Sequence, residues 1–429
     1  MRVFCMHIPR TYINEAHATY ETQWLLTPAR IFKEVLNELQ ESVDGKFSLE
    51  FYCVENIIYL CLTGDTEILD LLINTLFALF DSYEFHEIED YTKQISFDTV
   101  VASAELRYLR TDVLPCLDYT AFAFNSVVPI SAPLTKLPAN DRALIQIVCS
   151  PVKNGFFLHF DLFIKRMWVR LLFVTNPKNW FKKGIENKFN DKMIEKCAGK
   201  LYKVNYRIAA LTELPPNTSK DIREATVSRL KNHVKVIGNT LSFLSTLTQN
   251  AYRIGKIEEG YDKFKKFQER ALINPIRLGT IELCTLWHPV RLMAIPNTAQ
   301  VMARKGAPPK NLPIDFNDPQ ISFIAHTNFR RTVETFGMRR YDRRRHLYMV
   351  GKSGSGKSCL LQLLVKSDID NGFGCCVLDP HGDLIDDILR MIPPHRVKDV
   401  VLFDPSDTKF PPSFNPLSAV RPELKMRAT

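Results

Sequence analysis

The run Gly351-Lys352-Ser353-Gly354-Ser355-Gly356-Lys357-Ser358 constrains this chain more than any other feature. It fits G-x-x-x-x-G-K-[ST], a loop that cradles phosphates. Its flanks fit as well. Residues 346–350, His-Leu-Tyr-Met-Val, read as a short buried strand, and residues 359–365 read as the first turns of an apolar helix. A strand, a glycine-rich turn and a helix start aim several backbone N–H groups at one anion. Glycine lets that backbone approach the phosphates closely. Lys357 is then placed to reach the β- and γ-phosphates of ATP, and the Ser358 hydroxyl to hold Mg²⁺. The competing reading is a chance loop of Gly, Ser and Lys, which the flanks argue against.

The loop begins at residue 351 of 429. A complete ATPase core of this kind needs several later strands, a carboxylate for Mg²⁺ and water, and an arginine finger. The expectation is therefore the N-terminal part of a longer protein, or a truncated gene product.

With 45% apolar and 24% charged residues the composition is that of an ordinary globular protein. The net charge of +9 permits a polyanionic partner without requiring one. Ten cysteines are scattered with no C-x-x-C pair, so neither a zinc site nor a disulfide framework is indicated. A reducing, cytoplasmic compartment is expected. Residues 1–9 lack the apolar core of a signal peptide. The nearest approach to a membrane segment is 156–174, rich in Phe and Leu but interrupted by Asp161, Lys165, Arg166 and Arg170. It reads either as a basic amphipathic helix on an anionic membrane surface or as a core helix with a solvated basic edge. The core helix is the preferred reading.

The fold expected is an α+β N-terminal region of tandem ferredoxin-like units, followed by the first part of an α/β RecA-like nucleotide-binding domain. Residues 1–92 carry the order β-α-β-β-α-β of the ferredoxin-like motif. Residues 93–274 are expected to form a second such unit, with strands at 95–108, 143–149 and 201–211, helices at 177–198 and 219–247, and 151–176 as an amphipathic insertion. Residues 275–321, studded with prolines, read as a connector. The nucleotide-binding part is expected to span 322–429.

Three elements surround the loop. Arg339, Arg340, Arg343, Arg344 and Arg345 precede its strand and can neutralise phosphates of a nucleotide or of DNA. Equally, they can be a solvated charge run pairing with Asp342 and Glu334. A second strand is expected to end at Asp379, within Asp379-Pro380-His381-Gly382-Asp383-Leu384. Carboxylates at such a strand end lie over the ligand crevice of α/β sheets, so Asp379 or Asp383 can touch Mg²⁺ through water. The alternative for Asp383 is the N-cap of the following helix. A third apolar run, 400–403, ends in Asp404. It superficially resembles the strand that carries the catalytic carboxylate, but Pro405 points to a turn. Asp379 and Asp404 are thus weak catalytic candidates beside Lys357.

These segments carry a resemblance. Residues 336–417 resemble the HerA–FtsK class of P-loop ATPases that pump DNA. Within that class they are similar to the TraG/TraD-like ATPases of bacterial type IV secretion and conjugative DNA transfer. The likeness rests on Asp-Arg-Arg-Arg-His at 342–346, Asp-Pro-His-Gly-Asp-Leu at 379–384, Phe-Asp-Pro-Ser-Asp at 403–407 and Phe-Asn-Pro-Leu at 414–417. Over the first three hundred residues it is diffuse, resting on phrases such as Leu286-Trp287-His288-Pro289. The resemblance implies a ring-forming, hexameric motor that uses ATP and Mg²⁺ to move DNA. It would be cytoplasmic, with peripheral contact to a membrane or to secretion-channel proteins. The family's later catalytic motifs match no position here. Two other functions stay open: a HerA-like helicase in DNA end processing, and a nucleotide-binding scaffold that does not turn over.

Overall fold

Strand β1 (Arg2–Pro9) is buried on both faces. Phe4, Met6 and Ile8 point into one apolar cluster and Val3 and Cys5 into another. Period-two alternation of this kind makes a strand that separates two covered layers. In the computed structural model the chain divides into two units, Met1–Lys305 and Gly306–Thr429. The structure describes residues 1–9, 22–42, 44–80, 83–153, 156–174, 183–215, 217–245, 249–290, 295, 297–301, 308–327 and 333–410. The expected match at 414–417, the chain end at 421–429 and residues 175–182 of the anticipated insertion and helix lie outside them.

The first unit begins β1, α1 (Thr22–Ser42), β2 (Phe47–Val54), β3 (Ile57–Gly64), α2 (Thr66–Leu79), β4 (Glu84–Ile88) and β5 (Val100–Tyr108). It continues with α3 (Val127–Ser131), β6 (Asp141–Pro151), α4 (Phe156–Val174), α5 (Lys183–Ala198), β7 (Leu201–Thr212) and α6 (Lys220–Asn239). After these come β8 (Tyr252–Ile254), β9 (Glu258–Glu259), α7 (Tyr261–Gln268), β10 (Ile276–Gly279), α8 (Thr280–Leu286) and β11 (Gln300–Val301). The strands form one sheet whose main path is β11-β1-β3-β2-β6-β7-β5-β8, with β4 also on β1, β9 on β5 and β10 on β7.

Strands β2 and β6 pair antiparallel from Phe47↔Cys149 to Cys53↔Ala143. The boundary expected at residue 92 therefore lies inside a single sheet. The connector expected from 275 also differs. Up to residue 301 it belongs to the first unit, because Leu283, Leu286, Trp287 and Val290 are buried in the main core. Helix α1 carries Pro28 inside it. The long helix anticipated to 247 stops at Asn239 and tightens into a single turn, Thr240–Leu244.

Helices α1, α2, α6 and α8 cover one face of the sheet with residues such as Phe32, Leu72, Val234 and Leu283. On the other face α7 lays down Phe264 and Phe267. Beneath α7 Arg270 is fully buried and bridges Glu50 (Nε–Oε1 3.2 Å) and Asp90 (Nη2–Oδ1 3.0 Å). Gln146 and Tyr91 also donate to Glu50. Such a network tolerates burial because its charged members are paired.

Helix α4 reverses expectation. Two of its charged residues face the protein: Asp161 accepts from Arg277 at 2.6 Å, and Lys165 lies 3.2 Å from Asp112. Leu162 and Val169 pack with Met193 and Cys197 of α5. Phe160, Phe163, Met167, Trp168 and Leu171 are left exposed. It is thus not a core helix with a solvated basic edge. The charges of Asp112 and Arg277 recruit Asp161 and Lys165 inward.

The second unit holds β12 (Ile321–His326), β13 (Thr335–Arg339), α9 (Arg340–Arg343), α10 (Lys357–Asp370) and α11 (Asp383–Met391). Strands β12 and β13 form an antiparallel pair with a bulge between Phe323 and Ala325. The strands expected at 346–350, 374–379 and 400–403 do not form ladders among the described residues. Apolar side chains there face outward: Tyr348 is 90% exposed, Leu378 91% and Val401 91%. A parallel strand becomes one only when a neighbour takes up its N–H and C=O groups. Apolar character alone does not supply that neighbour.

Candidate functional site

The loop 351–358 runs into α10 without a break. Gly354 and Gly356 have φ of +77° and +89°, conformations that L side chains rarely adopt. A Cβ at either position would meet nothing within 4 Å, so the loop is open on that side. Gly356 caps the helix, Lys357 is its first residue and Ser358 its second. The first amides of a helix have no intrahelical acceptor, and with the helix dipole they favour an anion at this end.

Lys357 is folded back on the loop. Its Nζ donates to the carbonyl oxygens of Gly351 at 2.8 Å and Lys352 at 2.9 Å. The ammonium therefore sits at the mouth of the turn, beside the helix start. The Ser358 hydroxyl is exposed at the same end. A lysine, a hydroxyl and open helix amides converging on one turn fit the β- and γ-phosphates of a nucleoside triphosphate with Mg²⁺. Lys352, Ser353 and Ser355 complete the exposed turn, in which the Ser355 amide donates to the Lys352 carbonyl at 3.2 Å.

The arginine run separates into two groups. Arg343 makes a bidentate pair with the buried Asp368 of α10, at 2.8 and 2.6 Å, and also donates to Ser322 of β12 at 3.1 Å. Arg340 lies over the Phe373 ring at 4.0 Å and within 3.9 Å of Asp368. These two join the strand pair to α10. Arg339, Arg344 and Arg345 are exposed. Arg344 lies 6.0 Å from the Tyr341 ring. Neither Asp342 nor Glu334 pairs with the run among the described residues. Sequence reasoning missed Asp368, since its position 25 residues beyond Arg343 gives no local signal.

The two aspartates serve turns. Asp379 accepts from the amides of His381 at 3.1 Å and Leu384 at 2.9 Å. Amide donation, from His381 first and then Leu384, holds its carboxyl below the usual carboxylate range. Asp379 thus caps the start of α11, whereas Asp383 is the first residue of that helix rather than its cap. Asp404 accepts from the Ser406 hydroxyl at 2.7 Å and amide at 2.8 Å, which likewise hold its carboxyl low. Both carboxylates are spent locally. No cluster of His, Cys, Asp and Glu among the described residues could hold a metal ion by itself.

No curated protein is similar enough to this chain to serve as a relative. Residues 342–425 match the family model described as the central domain of helicase HerA. The match contains the whole phosphate-binding loop and both aspartate turns. It supports placing this part of the chain in the HerA–FtsK class, with P-loop nucleotide binding and an ATPase or translocase type of motor.

Proposed function

We propose that the second unit binds Mg–ATP at residues 351–358 and serves as the nucleotide-binding part of a ring-forming DNA translocase of the conjugative or type IV secretion kind. The observation that carries this reading is the convergence of Lys357, Ser358 and the α10 N-terminus on one glycine turn, inside a segment similar to HerA. HerA-family proteins commonly bind DNA and assemble into rings, which supports DNA and self-association as partners. The Ser358 hydroxyl would hold Mg²⁺, which would supply charge neutralisation for the phosphates. Lys357 exchanges its two loop carbonyls for phosphate oxygens, and the α10 amides orient them. A RecA-like fold for this unit belongs to the same reading. For residues 1–92, the neighbour order β4-β1-β3-β2 supports a ferredoxin-like unit.

A HerA-like role in DNA end processing shares this core. A nucleotide-binding scaffold gains support from the commitment of Asp379 and Asp404 to turns, which leaves neither disposed to activate water. Two measurements test the proposal. Lys357→Ala removes a charge-assisted contact worth about 1.5–3 kcal/mol, so ATP affinity should fall at least about tenfold by calorimetry. Equal affinity in the variant would sink the site. The 1–429 chain should also show little steady-state ATP hydrolysis. Robust turnover abolished by Lys357→Ala would instead make Asp379 or Asp404 catalytic.

A further inference from the structure

We infer that the outer face of α4 is a membrane-docking surface that enters the interface of an anionic lipid bilayer. This inference does not depend on the nucleotide site. Phe160, Phe163, Ile164, Met167, Trp168 and Leu171 are spaced so that they share one side of the helix, an arc of about 140° at 100° per residue. All of them except the half-buried Ile164 are exposed, Phe163 at 59% and Trp168 at 58%. The opposite side is fixed to the protein through Asp161, Lys165, Leu162 and Val169. The helix therefore cannot roll its apolar side inward without breaking the Arg277–Asp161 and Lys165–Asp112 pairs.

An apolar face this large and contiguous marks an interaction site. Two observations select lipid over protein. Apart from the Trp168 indole, the arc has no polar side chain to fix a register against a protein partner. It also sits in a basic part of the chain. Between residues 156 and 200 ten lysines and arginines stand against four aspartates and glutamates, a surplus of six out of the chain's nine. Trp and Phe on one side of a helix in a basic neighbourhood is the composition of helices that lie in a lipid interface. No helix among the described residues is long and apolar enough to cross a membrane, so the contact is peripheral.

The test is flotation of the full chain with vesicles of phosphatidylglycerol mixed with phosphatidylcholine, and with phosphatidylcholine alone. The chain should float with the mixed vesicles, less so as salt rises, and much less with the neutral ones. F163E/W168E should lower binding roughly tenfold or more, while F97E, at a still more exposed aromatic elsewhere, should not. Because the altered side chains are exposed, circular dichroism and thermal unfolding should match the parent. If the double variant misfolds, Met167→Ser with Phe163→Ser gives a milder version of the same comparison. Full binding by a folded variant overturns the proposal. So does a parent chain that ignores both vesicles but self-associates through this face, seen as a smaller species by sedimentation in the variant.

Discussion

At the scale of single residues, the structure distinguishes side chains that resemble one another in sequence. His288 lies in the phrase Leu-Trp-His-Pro that carried part of the family likeness, yet its role is internal. Trp287 is fully buried against Phe32 at 5.2 Å and Phe51 at 6.2 Å. His288 beside it donates from Nδ1 to the Cys284 carbonyl at 2.7 Å, and its Nε2 is buried without a partner. Burial holds the imidazole neutral and lowers its pKa from 6.5 to about 4, against the opposing pull of that carbonyl. In the unfolded chain the same imidazole takes up a proton below pH 6.5. Acid therefore favours unfolding, and the stability due to neutral burial should decline from pH 6.5 and level off below pH 4. The loss is roughly 3 kcal/mol at most. Denaturant titrations across that range should show a shallower slope for His288→Asn. An identical slope would mean that His288 is accessible to protons in the native state.

At the scale of elements, α10 is held at two ends by different chemistry. Its N-terminus presents the phosphate loop, and near its C-terminus Asp368 receives Arg343. Removing one partner of a buried ion pair costs about 3–5 kcal/mol, and partial exposure of Arg343 puts this pair toward the low end. Arg343→Ala should therefore loosen α10 from β12, with hydrogen exchange rising across 357–370. Arg345→Ala should leave exchange there unchanged. Equal protection in both variants would show that the pair contributes little.

The same pair explains what could and could not be read from sequence. The loop was legible because its requirements are local: glycine where φ is positive, then lysine and serine at a helix start. The strands of residues 1–92 were legible through their alternation. The inward turn of α4 was not, because Asp112 and Arg277 are brought to Asp161 and Lys165 only by folding. Nor could the apolar runs at 346–350, 374–379 and 400–403 reveal whether a neighbouring strand takes up their backbone groups.

At the scale of the whole molecule, charge and its placement set the expected behaviour toward DNA. Arg339, Arg344 and Arg345 are exposed in a part of the chain similar to HerA, while Arg340 and Arg343 are occupied. If this surface meets DNA, Arg344→Ala with Arg345→Ala should weaken binding equally for unrelated duplexes. It should also flatten the dependence of affinity on salt by roughly one unit per lost phosphate contact. Fluorescence anisotropy on two unrelated duplexes over a salt series measures both. An unaltered slope would assign DNA contact elsewhere and leave these arginines a solvated run.

The parallel pairing of β1 with β11, Ile8↔Gln300 and Pro9↔Val301, bears on how the chain acquires its shape. Nearly three hundred residues separate these partners, and β2 waits about a hundred for β6. During synthesis only the Ile8–Pro9 end of β1 waits for β11, since Val3–Met6 lie between β3 and β4, whereas β2 carries an unsatisfied edge until residue 149 has left the ribosome. Topologies dominated by such distant partners fold slowly, because the long loop must close before any contact rewards it. A nascent chain arrested before residue 141 should therefore expose the free edge of β2 to chaperones and protease, and release past 149 should cover it.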